Sequence, residues 1–164
     1  MSKTEAHLKE AFAGESQANR KYLAFAFQAE KDGHPAVARL FRAAAQAETV
    51  HAHAHLRALG GVHDTAANLR QAVSGETHEF MSMYPRMIAD AEAEGNRAAA
   101  RSFRFANAVE KVHAELYQKA LAELGKNAEA AYWVCNVCGN TVAGEPPETC
   151  PICGAKRAAF RKID

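Results

Sequence analysis

Two short motifs with the same spacing each place a carboxylate and an imidazole one helical turn apart. Glu48-x-x-His51 and Glu110-x-x-His113 each offer an oxygen and a nitrogen ligand from one helix face, because residues at i and i+3 are neighbours there. This donor set suits iron or manganese, and the absence of a thiolate argues against copper(I). Di-iron carboxylate bundles use the same pattern and complete their sites with single glutamates from two other helices.

The residues around these motifs distinguish them from solvated surface pairs. A lone Glu-x-x-His is common on exposed helices, but both pairs here lie in line with large apolar residues at helical spacing, as do Glu15 and Glu76. A carboxylate in such a core costs on the order of several kcal/mol in desolvation unless it is protonated or neutralised. The pattern therefore predicts two bound metal ions. The predicted ligands are Glu15, Glu48, His51, Glu76, Glu110 and His113.

Glu79 is a fifth carboxylate, one turn after Glu76. It exceeds the four carboxylates and two histidines that such sites normally contain. We expect it to give one of the two ions an alternative ligand.

All four cysteines lie in one C-terminal window, as the pairs Cys135-x-x-Cys138 and Cys150-x-x-Cys153. Two close pairs in a chain without a signal peptide indicate a metal site and not a disulfide framework. Each pair is followed by a glycine, which permits the tight turn that directs backbone N–H groups at sulfur. Four thiolates predict a tetrahedral site for zinc or for a single iron. Beside a di-iron bundle, a mononuclear iron that carries one electron is the more useful occupant.

The elements that must position these residues are four helices, separated by Gly, Pro and capping residues. The predicted helices run from about Thr4 to Lys31, from Pro35 to Gly60, from Asp64 or Thr65 to Gly95 with a kink at Pro85, and from Asn96 to Gly125. The composition then changes near residues 126–130. The sequence thus predicts a mainly α fold, with a four-helix bundle at 1–126 and a small four-cysteine domain at 131–164.

Composition excludes several classes of function. Twenty basic against nineteen acidic residues give a formal charge of +1 with no basic cluster, which argues against nucleic acid as a partner. No apolar run approaches the roughly 18 residues of a membrane span, so no membrane partner is expected. These features and the reduced cysteines favour a cytoplasmic protein.

With these residues in view, the chain resembles rubrerythrin over essentially its whole length. The matching segments are GESQANRKY, AETVH, GETHEFMSMYP, EKVH, YWVCNVCGN and CPICG. The resemblance implies a ferritin-like bundle with a di-iron centre, followed by a rubredoxin-like domain with one iron on four cysteines. One departure from the family is Ala155-Lys156, which replaces a frequent His-Pro after the last cysteine.

The resemblance also implies an activity, that of a non-haem peroxidase that reduces hydrogen peroxide in oxidative-stress defence. One iron would exchange His51 for Glu79 as it is oxidised, because the anionic carboxylate prefers ferric iron. Tyr22 and Tyr84 match tyrosines near the site, where a catalytic role and simple bundle packing are about equally expected. Electrons would come from an external NAD(P)H-linked reductase or rubredoxin through the four-cysteine iron.

The short link between the second and third helices predicts a domain-swapped homodimer. In a ferritin-like fold these two helices are parallel, so the link must return about 30 Å along the bundle, whereas five residues span at most about 17 Å. Helices one and two would then pair with helices three and four of a second chain.

Two other functions compete with the peroxidase. An iron-sequestering, ferritin-like ferroxidase would use the same bundle but would leave the cysteine domain idle. A structural bundle with a zinc ribbon that recruits a partner would hold a colourless, redox-silent metal.

Overall fold

Five α-helices precede a three-stranded sheet in this computed structural model, which describes residues 2–126 and 129–163. The helices are α1 (Lys3–Lys31), α2 (Pro35–Ala58), α3 (Thr65–His78), α4 (Tyr84–Ala93) and α5 (Arg97–Ala122), with a π-helical segment at Glu79–Met83. The strands are β1 (Tyr132–Cys135), β2 (Thr141–Ala143) and β3 (Phe160–Ile163), the last preceded by a 3-10 turn at Arg157–Ala159. The mainly α prediction with a small cysteine-containing domain is confirmed.

The first compact unit, which ends at His63, is the α1–α2 pair. The two helices approach closely because the buried residues between them are small. These residues are Ala26, Ala29, Ala38, Ala45 and Ala52. One buried polar contact fixes the register of the pair, since Asn19 donates to the carbonyl of Ala45 at 2.7 Å and to Thr49 Oγ1 at 2.8 Å.

The second compact unit, which begins at Asp64, contains the remaining helices and the sheet. Side chains cap the first turns of two helices, as the sequence predicts: Asp64 accepts from the N–H of Ala67 at 2.8 Å, and Asn96 accepts from the N–H of Ala99 at 3.1 Å. Helices α3 and α4 both pack against α5. The two short helices therefore share one long helix as their support.

The predicted third helix is interrupted by a π-helical segment and not simply kinked. Tyr84 donates its N–H to the carbonyl of Glu79, five residues back. The interruption ends at Met83, two residues before Pro85, which has no N–H to continue the α-helical ladder. Such one-turn π segments are frequent at functional sites, and this one begins at Glu79.

The small sheet has the strand order β2-β1-β3, with both pairs antiparallel. Its core consists of Cys135, Cys150 and Phe160, against which Trp133 packs. So little apolar material cannot hold a module of this size alone. The cysteines at its centre are therefore the natural place for a stabilising metal.

Some predictions extend beyond the residues that the structure describes. The predicted linker at 126–130 includes Asn127 and Ala128, and the predicted domain ends include Met1 and Asp164; these four residues lie outside the described part. Within that part, none of the helices combines the length and the apolar character that a membrane span requires.

Candidate metal centres

The four cysteine side chains converge on one point. Cys135 Sγ lies 3.7 Å from Cys153 Sγ, and Cys138 Sγ lies 3.6 Å from Cys150 Sγ. A disulfide bond would require about 2.05 Å. Four sulfurs bound to one ion at about 2.3 Å lie about 3.8 Å apart at tetrahedral geometry. The observed spacing therefore fits a single tetrahedral ion.

Two glycine turns aim the cysteine loops at this point. Gly139 and Gly154 adopt positive φ angles of 87° and 75°, which a residue with a Cβ rarely adopts. Their N–H groups donate to the carbonyls of Cys135 and Cys150 at 2.8 and 2.9 Å. Each Cys-x-x-Cys-Gly segment therefore forms a hydrogen-bonded turn that contains two of the four cysteines.

The thiols of this cluster differ in acidity. Burial opposes the thiolate of Cys150, but backbone N–H groups at Cys153 and Ile152 outweigh it and lower the pKa to about 7. Burial raises the pKa of Cys138 well above its usual range. A metal ion must therefore displace protons from the cluster when it binds, which couples metal affinity to pH.

The first carboxylate–histidine group lies on the α1–α2 pair. His51 Nδ1 is 2.9 Å from Glu48 Oε2 and 3.9 Å from Glu15 Oε1. Hydrogen bonds from His51 and Glu15 lower the pKa of Glu48. The His51 side chain remains 54% exposed within this single chain.

The second group lies on α3 and α5 and repeats the first. His113 Nδ1 is 2.8 Å from Glu110 Oε2 and 3.8 Å from Glu76 Oε1. Burial, followed by the nearby negative charge of Glu110, raises the pKa of Glu76. The His113 side chain is only 26% exposed, so this group is the more enclosed of the two.

Both groups fit a divalent metal ion. In each group the three potential ligand atoms lie within 4.8 Å of one another. Bonds of about 2.0 to 2.2 Å allow two ligands of one ion to be up to about 4.4 Å apart, and the nitrogen-to-oxygen distances above satisfy this. The two groups together contain the six residues that spacing predicts, three on each compact unit.

The three remaining predicted site residues, Glu79, Tyr84 and Tyr22, lie outside the two groups of potential ligands. Glu79, at the start of the π-helical segment, is not among the ligand clusters found in the described residues. Tyr84 lies close to the second group: burial and the charges of Glu110, Glu79 and Glu76 raise its pKa. The ring of Tyr22 packs against Phe41 at a centroid distance of 6.1 Å. Roles for these three residues stay predictions.

The structure also reveals a polar contact that the sequence does not predict. Thr141 Oγ1 lies 2.9 Å from His113 Nε2, and the buried Asn140 beside it points its side-chain amide at Cys150 Sγ, 3.8 Å away. Neither residue belongs to a ligand motif. Only their position directly after Cys138-Gly139 could have drawn attention to them.

The fold and these two kinds of centre define a di-iron carboxylate protein with a rubredoxin-type module, and the comparisons agree. Residues 7–121 match the family model Rubrerythrin, and residues 133–161 match the model Rubrerythrin, rubredoxin-like domain. Rubrerythrin-2 of Clostridium acetobutylicum is 34% identical over 94% of this chain and 93% of its own length. Rubrerythrin of Porphyromonas gingivalis is 35% identical over 99% and 90%.

Solved structures of nigerythrin show the same architecture. The fully reduced, all-ferrous state of nigerythrin matches with a TM-score of 0.61 and 33% identity, over 99% of this chain and 88% of that one. The chain belongs to the rubrerythrin family. Members of this family are oxidoreductases that carry a di-iron site and one iron on four cysteines, and this chain has donor groups for both.

Replacing Glu76 by Gln should stabilise the protein when its bundle site is free of metal. The raised pKa of Glu76 means that its charge costs free energy in the folded state, and the substitution removes this cost. We expect a small gain at pH 7, of up to about 2 °C in Tm, because solvent screens the partly exposed carboxylate. The gain should shrink as the pH falls and vanish below 4.5, where Glu76 of the wild type is protonated in both the folded and the unfolded state.

Thermal unfolding followed by circular dichroism checks this. The control is E115Q, at an exposed position of the neighbouring helix α5. Ferrous or zinc ions should reverse the order, because E76Q lacks a charged ligand. An E76Q variant no more stable than E115Q at pH 7 would contradict the repulsion between Glu76 and Glu110.

Proposed function

We propose that this protein is a non-haem peroxidase that reduces hydrogen peroxide to water in oxidative-stress defence. The observation that supports it most is the presence of two Glu-Glu-His groups and a four-thiolate cluster in one chain. Peroxide cleavage needs two electrons, which a pair of irons supplies one each. A ferroxidase would need only the bundle and gives no use for the one-electron centre.

The chain's own residues have distinct parts in this proposal. Glu15, Glu48, Glu76, Glu110, His51 and His113 hold the two ions, and the cysteines Cys135, Cys138, Cys150 and Cys153 hold the third. Glu79 would take the place of His51 as a ligand of an oxidised ion, because a carboxylate favours the higher charge. Tyr84, near three carboxylates, keeps its hydroxyl protonated and offers a hydrogen bond at the site.

The electron donor in this proposal is an external NAD(P)H-linked reductase or a rubredoxin. It would deliver electrons singly to the cysteine module, whose Cys138 and Cys153 are partly exposed. We propose the cytoplasm as the location, since free thiolates persist where the surroundings are reducing.

Cys138→Ser separates the two halves of the proposed reaction. The variant should lose the ferric-thiolate absorption and at least about tenfold of its reductase-driven peroxide turnover, while a pre-reduced sample still consumes one equivalent of peroxide per di-iron site. Stopped-flow and steady-state peroxide assays measure these quantities. Val137→Ala, at the exposed neighbouring position, is the control. Unchanged reductase-driven turnover in C138S would refute the relay.

We further propose that the complete di-iron site forms in a domain-swapped homodimer. Each compact unit carries three of the six ligands, and the unit boundary falls at His63–Asp64. The link between the helices is already folded at its start, because Gly61 donates to the carbonyl of Leu56 at 2.9 Å. Helix α3 begins directly at Thr65, so no unwound turn lengthens the link.

The length of this link supports exchange between chains. From Gly60 to Thr65 the chain spans at most about 17 Å. Helix α2 ends at Ala58, and Gly60 stays at that helix end because its N–H donates to the carbonyl of Arg57. The rises from His51 to Ala58 and from Thr65 to Glu76 are about 11 and 16 Å at 1.5 Å per residue. One chain joining both ligand groups in a ferritin-like bundle would need their sum, which the link cannot reach.

Exposed apolar side chains on the first unit indicate what a second copy would cover. A helical pair with an alanine interface keeps its large residues on the outside, where they cost free energy in water. These exposed residues include Leu23, Phe25, Phe27, Val37, Leu40 and Val50. We expect a second copy of the chain to cover these residues, because it would also supply the three ligands that complete the di-iron site.

Complementation between two inactive variants tests the swap. One variant carries E48A and H51A, and the other carries E110A and H113A. In a swapped heterodimer, one site combines both intact units and the other combines both damaged ones, so purified heterodimers should recover about half of the wild-type di-iron content. Two differently tagged, co-expressed chains and iron analysis measure this. Heterodimers without di-iron sites, or a monomer with a full site by light scattering, would refute the swap.

A further inference from the structure

The two histidines of the ligand groups are held differently. Within its own unit, the described partners of His51 are only the carboxylates Glu15 and Glu48. His113 has the corresponding carboxylates at Nδ1 and, in addition, Thr141 Oγ1 at 2.9 Å from Nε2. One imidazole is therefore anchored at both ring nitrogens and the other at one.

The hydrogen-bond direction at Thr141 determines the tautomer of His113. Thr141 Oγ1 lies 3.2 Å from the carbonyl oxygen of Gly139, which can only accept. The hydroxyl hydrogen is therefore used toward Gly139, and Oγ1 accepts from His113. Nε2 must then carry a hydrogen, so Nδ1, which faces Glu76 and Glu110, is the ring nitrogen left to bind an ion in place of its own hydrogen.

Thr141 is itself held firmly by the cysteine module. It pairs with Val134 in the sheet, and it follows Asn140, which is only 3% exposed. Gly139, its hydrogen-bond acceptor, donates to Cys135. The hydroxyl is thus fixed relative to the cysteine cluster and not by a flexible loop.

We infer that Thr141 is a positioning residue: it holds His113 in the Nε2-protonated, metal-binding orientation and ties the cysteine module to the bundle ligands of the same chain. This rests on the proposed role of His113 as a ligand. A partner on the second ring nitrogen typically fixes the tautomer and the orientation of a metal-binding histidine. His51 has no such anchor among its described partners, which is compatible with its proposed exchange for Glu79.

A cavity lies beside the contact between Thr141 and His113 and bears on the expected effect of removing the threonine hydroxyl. Its volume is about 290 Å³, and Leu69, Leu116, Tyr117 and Tyr132 line it together with His113 and Thr141. Such a space is large enough to admit water. If Thr141 cannot accept, the Nε2–H group turns to this water and the ring gains freedom to rotate.

The first test is nuclear magnetic resonance of the ¹⁵N-histidine-labelled full-length protein, loaded with zinc at all sites so that it is diamagnetic. In the wild type, His113 should show a protonated Nε2 whose hydrogen exchanges slowly with water. A wild-type His113 protonated at Nδ1, or with a rapidly exchanging Nε2 hydrogen, would overturn the proposal without any variant.

The second test compares T141V, T141S and T149V, the last a control at an exposed position of the same module. T141V should lose the slow Nε2 hydrogen and release bundle metal to a chelator about 10–100-fold more readily, with its ferric-thiolate absorption unchanged. T141S should stay near the wild type, because it restores the hydroxyl. Equal metal loss in T141S and T141V, or none in T141V, would refute the role.

These readouts separate this inference from the proposed function. Neither metal release nor the histidine tautomer requires peroxide turnover. If the wild type does not reduce peroxide but T141V still releases bundle metal more readily, the peroxidase proposal is wrong and the role of Thr141 stands. If the protein reduces peroxide but T141V changes neither metal release nor the histidine tautomer, the role of Thr141 is wrong and the peroxidase proposal stands.

Discussion

The electrostatic cost of placing carboxylates side by side governs the design of this protein. Glu76 and Glu110 lie close enough that the charge of one, added to burial, raises the pKa of the other. Without a cation, such a group destabilises the helices that carry it. When two divalent ions bind, the same carboxylates become ligands and no longer repel one another. The stability of the bundle is then coupled to metal binding at its site.

The division of the ligands between two compact units adds a second constraint. Each unit supplies three potential ligands, which leaves further coordination positions of a bound ion open. In the proposed swapped dimer, assembly of the di-iron site would also join the units of two chains. The more enclosed group, on α3 and α5, is also the one attached to the cysteine module through Thr141. The more exposed group contains His51, which must be free to move in the proposed reaction.

The sequence predicted the starts of α3 and α5 and the grouping of the carboxylates with the histidines, because both depend on local patterns. Asp64 and Asn96 cap helices where their types suggest, and the two Glu-x-x-His pairs meet the expected glutamates. The π-helical segment was missed, since a proline near Glu79 indicates a disturbance of the helix but not its form. Thr141 was missed for a different reason. Its contact with His113 joins residues 28 positions apart, and no spacing rule within a helix or a strand reports such a tertiary hydrogen bond.

The most direct measurement of the central claim is anaerobic and optical. The iron-loaded protein is fully reduced, freed of reductant and mixed with one equivalent of hydrogen peroxide or of dioxygen, while the ferric-thiolate absorption is followed. Recovery of the absorption much faster with peroxide is the predicted result, because peroxide oxidises the bundle irons and these then draw the electron from the four-cysteine iron. Faster recovery with dioxygen would contradict the peroxidase and favour iron oxidation for storage. A protein with no such absorption would hold zinc on its cysteines, and the relay would be wrong.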